Sequence, residues 1–98
     1  MEKKEQDRIV RRYYQYLKLE KGCSANTIDA YMRDLDKFLN FIKEEGMDFM
    51  TAQLEDMHNF SALMTDIGIN PVSLSRILSG IRSFYHFLVL GDIIDANP

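Results

Sequence analysis

Cysteine is nearly missing from this chain: Cys23 stands alone among 98 residues, so no internal disulfide can form. It has no CxxC context and no companion cysteines or histidines at ligand spacing, which excludes a structural zinc. The same scarcity predicts a reducing, cytoplasmic setting in which Cys23 is a bystander thiol. Long apolar runs are missing as well. The stretch FLVL is typical of the longest, far short of the roughly 20 residues a membrane span requires, so no membrane partner is expected. The opening MEKKEQDRIVRRYYQ is charged throughout, unlike a secretory signal. No strand of useful length, internal repeat or low-complexity stretch is visible.

The usual constellations of chemistry are missing too. There is no Gly-rich phosphate loop and no Ser/His/Asp or Cys/His set at supporting spacing. His58 and His86 fall on different predicted helices, and neither begins an HExxH or HxxR motif. No cofactor, metal or catalytic residue is therefore assigned. The six methionines are scattered and read as packing residues.

What remains is an ordinary globular composition, 46% apolar and 28% charged, enough for one domain over residues 1–98 with one modest core. The net charge of −3 argues by itself against nucleic acid, but the charge is unevenly distributed. Residues 1–21 hold seven bases against four acids, and residues 44–66 hold six acids and no base. Residues 67–91 hold Arg76 and Arg82 and no acid, so neither arginine has an acidic neighbour in sequence.

Apolar spacing predicts four main helices joined by short loops, an all-α bundle. The first, about 3–20, aligns Ile9, Tyr13, Tyr16 and Leu17. The second starts at Ser24 as N-cap and aligns Ile28, Tyr31, Leu35, Phe38, Leu39 and Ile42. The third starts at Thr51 as N-cap, with Leu54, Met57, Met64 and Ile67 as its stripe and Phe60 and Leu63 beside it. The fourth opens at Asn70-Pro71, a capping residue followed by proline at the first helical position. Its stripe is Leu74, Ile77, Leu78, Ile81, Phe84, Tyr85 and Leu88. Gly22, Gly46, Gly68 and Gly91 are the expected terminators. Ile93 and Ile94 are expected to tuck back onto the bundle, where a short fifth helix has room, and Asn97-Pro98 reads as an extended exit toward a linker.

The fourth helix is unusual on the side away from its core. A helical wheel places Arg76, Ser79 and Ser83 opposite the apolar stripe, with Ser75, Arg82 and His86 on its flank. Serine and glycine cost a helix on the order of 0.5–1 kcal/mol each relative to alanine, so a merely solvated face would favour Glu, Lys or Gln. Short side chains suit a backbone that something approaches closely. Hydroxyls and arginines are donors for phosphate oxygens, and arginine also reaches guanine edges. Pattern alone leaves two readings open: Ser79 and Gly80 admit a neighbouring helix, or the face meets DNA. On the second helix Asn26, Ala30, Arg33 and Lys37 lie opposite the stripe, with Asp29, Asp34 and Asp36 alongside, so local pairs such as Asp29–Arg33 account for those bases equally well.

Two blocks resemble a known family: LEKGCSANTIDAYMRDLDKFLNFI (19–42) and SLSRILSGIRSFYHFLVLGDIIDANP (73–98). They are similar to the N-terminal core-binding domain of tyrosine recombinases, the Xer and phage-integrase group. The most specific matches are Asn26, Thr27, Tyr31, Asp34 and Leu35 in the first block, and Ser73, Arg76, Leu78, Ser79, Ile81, Arg82, Phe84 and Tyr85 in the second. Met32 stands where members often carry a second base beside Arg33.

The resemblance implies a SAM-like bundle that forms one half of a clamp around double-stranded DNA, with the second and fourth helices facing the duplex. It implies Asn26, Thr27 and Arg33 on one DNA-facing helix, and Ser73, Ser75, Arg76, Ser79, Arg82 and Ser83 on the other. The wheel adds Lys37. Other recombinase protomers are the implied partners. The family's strand cleavage uses a tyrosine nucleophile with an Arg, Lys, His and Arg set in a following C-terminal domain, so no tyrosine of this chain is expected to be the nucleophile. The alternative is a helical bundle that binds another protein.

Overall fold

The computed structural model describes residues 2–94, which form four helices: α1 (Lys3–Leu19), α2 (Ala25–Glu44), α3 (Leu54–Asp66) and α4 (Pro71–Leu90). No strand and no fifth helix occurs among the described residues, and the Asn97-Pro98 exit lies outside them. α4 lies against all three other helices, most extensively α2, while α1 and α3 make no close approach to each other.

Two of the expected caps form. The Ser24 Oγ accepts the Thr27 N–H at 3.2 Å, and the Asn70 Oδ1 accepts the Ser73 N–H at 2.9 Å. The third start differs. Thr51 is engaged with Asp48, whose Oδ1 accepts the N–H groups of Met50 and Thr51, and α3 begins three residues later. Its N-cap is Gln53, whose backbone N–H donates to the Asp56 Oδ2 at 2.7 Å, the acidic half of a capping box. A turn-forming Asp outcompetes a threonine cap because its carboxylate satisfies two orphan donors at once.

The helix ends repeat one device. The N–H of Met47 reaches the Ile42 carbonyl, that of Ile69 the Met64 carbonyl, and that of Ile93 the Leu88 carbonyl, the closure of a Schellman motif. Each needs a left-handed residue one position earlier. Gly46 (φ 78°) and Gly68 (φ 94°) fill it in the first two, but after α4 the slot falls on Asp92 (φ 55°), while Gly91 is the C-cap at φ −88°. Gly91 thus sits one residue ahead of the position where its freedom would count.

The core joins Ile9, Tyr13 and Leu17 of α1 to Ile28, Leu35, Phe38, Leu39 and Ile42 of α2 and to Ile77, Ile81, Phe84, Tyr85, Phe87 and Leu88 of α4. Ile93 and Ile94 pack back onto it, as expected. α3 contributes a narrower face than its sequence stripe predicts. Phe60 and Met64 are buried, Met57 is partly so, and Leu54 and Ile67 are exposed at 55% and 62%. As an edge helix it packs along one line centred on Phe60, which meets Phe38 edge-on at 5.3 Å. The loop before α3 adds an unanticipated core residue, Phe49, edge-on to Phe84 at 5.5 Å. The Tyr85 hydroxyl donates to the Phe49 carbonyl at 2.8 Å and fastens that loop.

Candidate nucleic-acid interface

The seam between α2 and α4 organises the candidate residues. Gly80 is buried in it, and a Cβ there would meet the Tyr31 ring at 3.5 Å. The helix admitted by this small residue is therefore the chain's own α2. Ser79, one position before it, remains exposed.

Beside Gly80, Arg76 crosses the seam to Asp34. Its Nε donates to Oδ2 at 2.9 Å and its Nη2 donates to Oδ1 at 3.0 Å, a side-on bidentate pair between positions 42 apart in sequence. The two partners differ in burial: the Asp34 side chain is 1% exposed, the Arg76 side chain 45%. Lys37 Nζ lies 3.9 Å from the same Oδ1. Hydrogen bonding to Asp34, and then its charge, pushes the Arg76 guanidinium further above its already high ordinary value. The expectation that Arg76 has no acidic partner is thus corrected: its partner comes from another helix. The alternative of local pairing on α2 holds for Lys37, which pairs with Asp34 three residues before it, but not for Arg33. Among the described residues Arg33 makes no ion pair with Asp29, and Asp34 faces inward to α4 instead of outward.

Ser83 also has an internal role. The Tyr13 hydroxyl donates to its Oγ at 3.0 Å, linking α1 to α4, and burial pushes the Tyr13 phenol up to about 12 from 10.0. α1 and α2 together cover one flank of α4, so its free arc is rotated from the one a symmetric wheel predicts. That arc carries Ser75, Ser79, Arg82 and His86, all exposed, at spacings of four, three and four residues.

The other candidates divide by position. Asn26, Arg33 and Lys37 are exposed along α2. Thr27 and Ser73 are partly buried in the first turns of α2 and α4, where their backbone N–H groups serve the caps. Among the described residues neither Arg33 nor Arg82 is in an ion pair. The surface therefore offers two uncompensated guanidiniums, a lysine shared with Asp34, and one arginine locked by a carboxylate. The residue missed from sequence is Asp34 in its inward role. Its signal was an acid at the margin of the α2 stripe, next to Leu35, matched by a base next to Ile77 on α4.

Among the described residues no three His, Cys, Asp or Glu side chains converge as a metal site. No described helix is long and apolar enough to cross a membrane. Cys23 is a half-buried free thiol.

A model of the phage integrase N-terminal SAM-like domain matches residues 10–91. Similar proteins include the tyrosine recombinase XerC of Pediococcus pentosaceus, 34% identical over 92 residues that cover 92% of this chain and 31% of that protein. XerC of Leptospira interrogans is 37% identical over 89 residues, covering 90% of this chain and 29% of that one. The tyrosine recombinase XerD of Listeria monocytogenes is 35% identical over 92 residues, 92% of this chain and 31% of its own length. The chain thus spans about three tenths of the curated relatives it matches. No solved structure matches it.

Proposed function

This chain belongs to the phage integrase N-terminal SAM-like domain family, and from that membership we propose that it is the DNA-binding domain of a tyrosine recombinase, clamping duplex DNA at a recombination core site. The observation that carries this reading is the free arc of α4. Arg82 stands there without an ion-pair partner among the described residues, flanked by the small exposed hydroxyls of Ser75 and Ser79. A duplex backbone can approach such an arc closely, and its phosphates supply the charge that Arg82 lacks. Arg33, Lys37 and Asn26 extend the same donor chemistry along α2. Phosphate contacts then give most of the affinity, with limited base readout.

Strand cleavage and rejoining belong to a separate catalytic domain of the longer protein in this reading. The hydroxyls of Tyr13 and Tyr85 are buried and hydrogen-bonded inside the bundle, which makes them poor nucleophiles. The working partners are double-stranded DNA and other recombinase protomers, in the cytoplasm. The competing reading, a partner helix docked on the Ser/Gly face, is weakened because Gly80 is already covered by Tyr31.

The test is the salt dependence of duplex binding by the full-length protein. Arg82→Ala is expected to weaken binding and to lower the slope of log K against log salt by about one. Binding that ignores salt, or an unchanged slope in the variant, would remove this face from the proposal.

A further inference from the structure

We infer that Asp34 is a positioning residue that makes Arg76 a reader of guanine instead of a phosphate anchor. This rests on the DNA-binding reading above and assigns a distinct task within it. A guanidinium carries five N–H donors in a rigid planar fork. Asp34 takes one from Nε and one from Nη2, which leaves the second Nη2 donor and both Nη1 donors. One donor from each η nitrogen forms the end-on edge, two parallel N–H groups at the spacing of O6 and N7 on the major-groove side of guanine. The carboxylate grips the adjacent edge, which shares Nη2, in a bidentate pair, so it fixes both the plane and the direction of the free one. With 45% of its side chain exposed, Arg76 keeps access to solvent while Asp34 beneath it is closed off at 1%.

Charge points the same way. A phosphate anchor works by contributing an uncompensated positive charge, as Arg82 and Arg33 do. Arg76 already faces a full negative charge at hydrogen-bond distance, while Lys37, farther off at 3.9 Å, is the cation of the cluster left with the weaker hold on that carboxylate. Its remaining attraction for an anion is reduced, while the directionality of its free donors is increased. Base edges are neutral acceptors that reward direction over charge. The small Ser75 and Ser79 on α4 keep the surroundings low enough for a groove edge to reach this fork.

The probe is a duplex chosen by the full-length protein from a randomised pool, with each guanine replaced singly by 7-deazaguanine, which lacks the N7 acceptor. Wild type is expected to lose about five- to tenfold in affinity at one guanine, the loss of half a bidentate contact. Arg76→Met, which has no donor, should abolish that sensitivity while other positions keep theirs. Asp34→Asn should blunt it and raise the salt slope by about one, because the released guanidinium becomes available to phosphate. A purely structural role for Asp34 would instead lower binding equally at every guanine. The double variant Asp34→Leu/Arg76→Met leaves no orphaned charge and guards against misfolding. It should bind with the wild-type salt slope and no response at that guanine. Salt-dependent wild-type binding with no sensitive guanine overturns the inference and leaves the clamp standing. So does a double variant that keeps the sensitivity. Failure of the wild type to select any duplex overturns the clamp reading itself.

Discussion

The uneven burial of the Asp34–Arg76 pair predicts that its two halves are not equivalent in stability. Arg76→Met removes the only bidentate partner of a carboxylate that is 1% exposed. Breaking a fully buried pair from one side costs about 3–5 kcal/mol, because the remaining charge is desolvated without compensation. Two features reduce that figure here: Arg76 is itself 45% exposed, and Lys37 stands 3.9 Å from Oδ1. About 2–4 kcal/mol is the expected loss. At an unfolding entropy of about 2.1 cal/mol/K per residue this lowers Tm by roughly 10–20 °C. The reverse change, Asp34→Leu, strands a guanidinium that can turn to water, and should cost about 1 kcal/mol or less.

The double variant Asp34→Leu/Arg76→Met should recover most of the loss, since exchanging such a pair for apolar side chains is often neutral. Urea denaturation of the four proteins, followed by circular dichroism, gives the coupling directly. Lys37→Met is the control, expected within about 0.5 kcal/mol of wild type because its ammonium stands 3.9 Å from the carboxylate, beyond hydrogen-bond reach, on a half-exposed side chain. Equal costs for the two single variants would refute the argument from asymmetric burial. So would a loss below about 0.5 kcal/mol for Arg76→Met.

Three further outcomes follow from the packing. Gly80→Ala should stabilise the domain by about 0.5–1 kcal/mol in denaturant titration, because its Cβ would rest at ordinary contact distance, 3.5 Å, from Tyr31 while helix propensity improves; a bulkier Gly80→Leu should force α2 and α4 apart and destabilise. Asp92→Gly should raise stability by up to about 1 kcal/mol, since it puts glycine in the left-handed slot at φ 55°, whereas Gly91→Ala, at φ −88°, carries no comparable backbone penalty. Burial raises the Tyr13 phenol from 10.0 to about 12, so the unfolded chain releases its proton first as pH rises; stability should hold below pH 10.0 and fall between there and about 12, with tyrosinate absorbance showing Tyr13 and Tyr85 ionising above the ordinary phenol value.

How much of this was legible in sequence depended on the range of the interaction concerned. Ser24 and Asn70 could be identified as caps because their partners lie three residues away, and the stripes of α2 and α4 because core contact there covers a broad face. The α3 stripe was misjudged because an edge helix needs only a narrow line, and nothing local distinguishes Phe60 as its centre from Leu54 or Ile67 as its exposed margins. Phe49 was missed because a loop has no periodicity. Gly91 ends α4 as its position predicts, but the Leu88–Ile93 closure puts the left-handed slot on Asp92, which no local signal marks.

The candidate site followed the same rule, with a consequence for how its residues should be sorted. Composition and the wheel selected Arg33, Lys37, Arg76 and Arg82 as equals, since each is a base away from an apolar stripe. Tertiary structure separates them. Arg33 and Arg82 have no ion-pair partner among the described residues, Lys37 shares a carboxylate at a distance, and Arg76 is fixed by it. The serines separate likewise: Ser83 is bonded to Tyr13, Ser73 helps to begin α4, and Ser75 and Ser79 alone keep their hydroxyls on the open arc. A net charge of −3 is compatible with a basic contact surface on these terms, because the acids cluster in residues 44–66 while Asp34 is spent inside the α2–α4 seam. The same carboxylate then does two things at once. It removes one negative charge from the face that would meet phosphates, and it holds one of that face's arginines in a single direction.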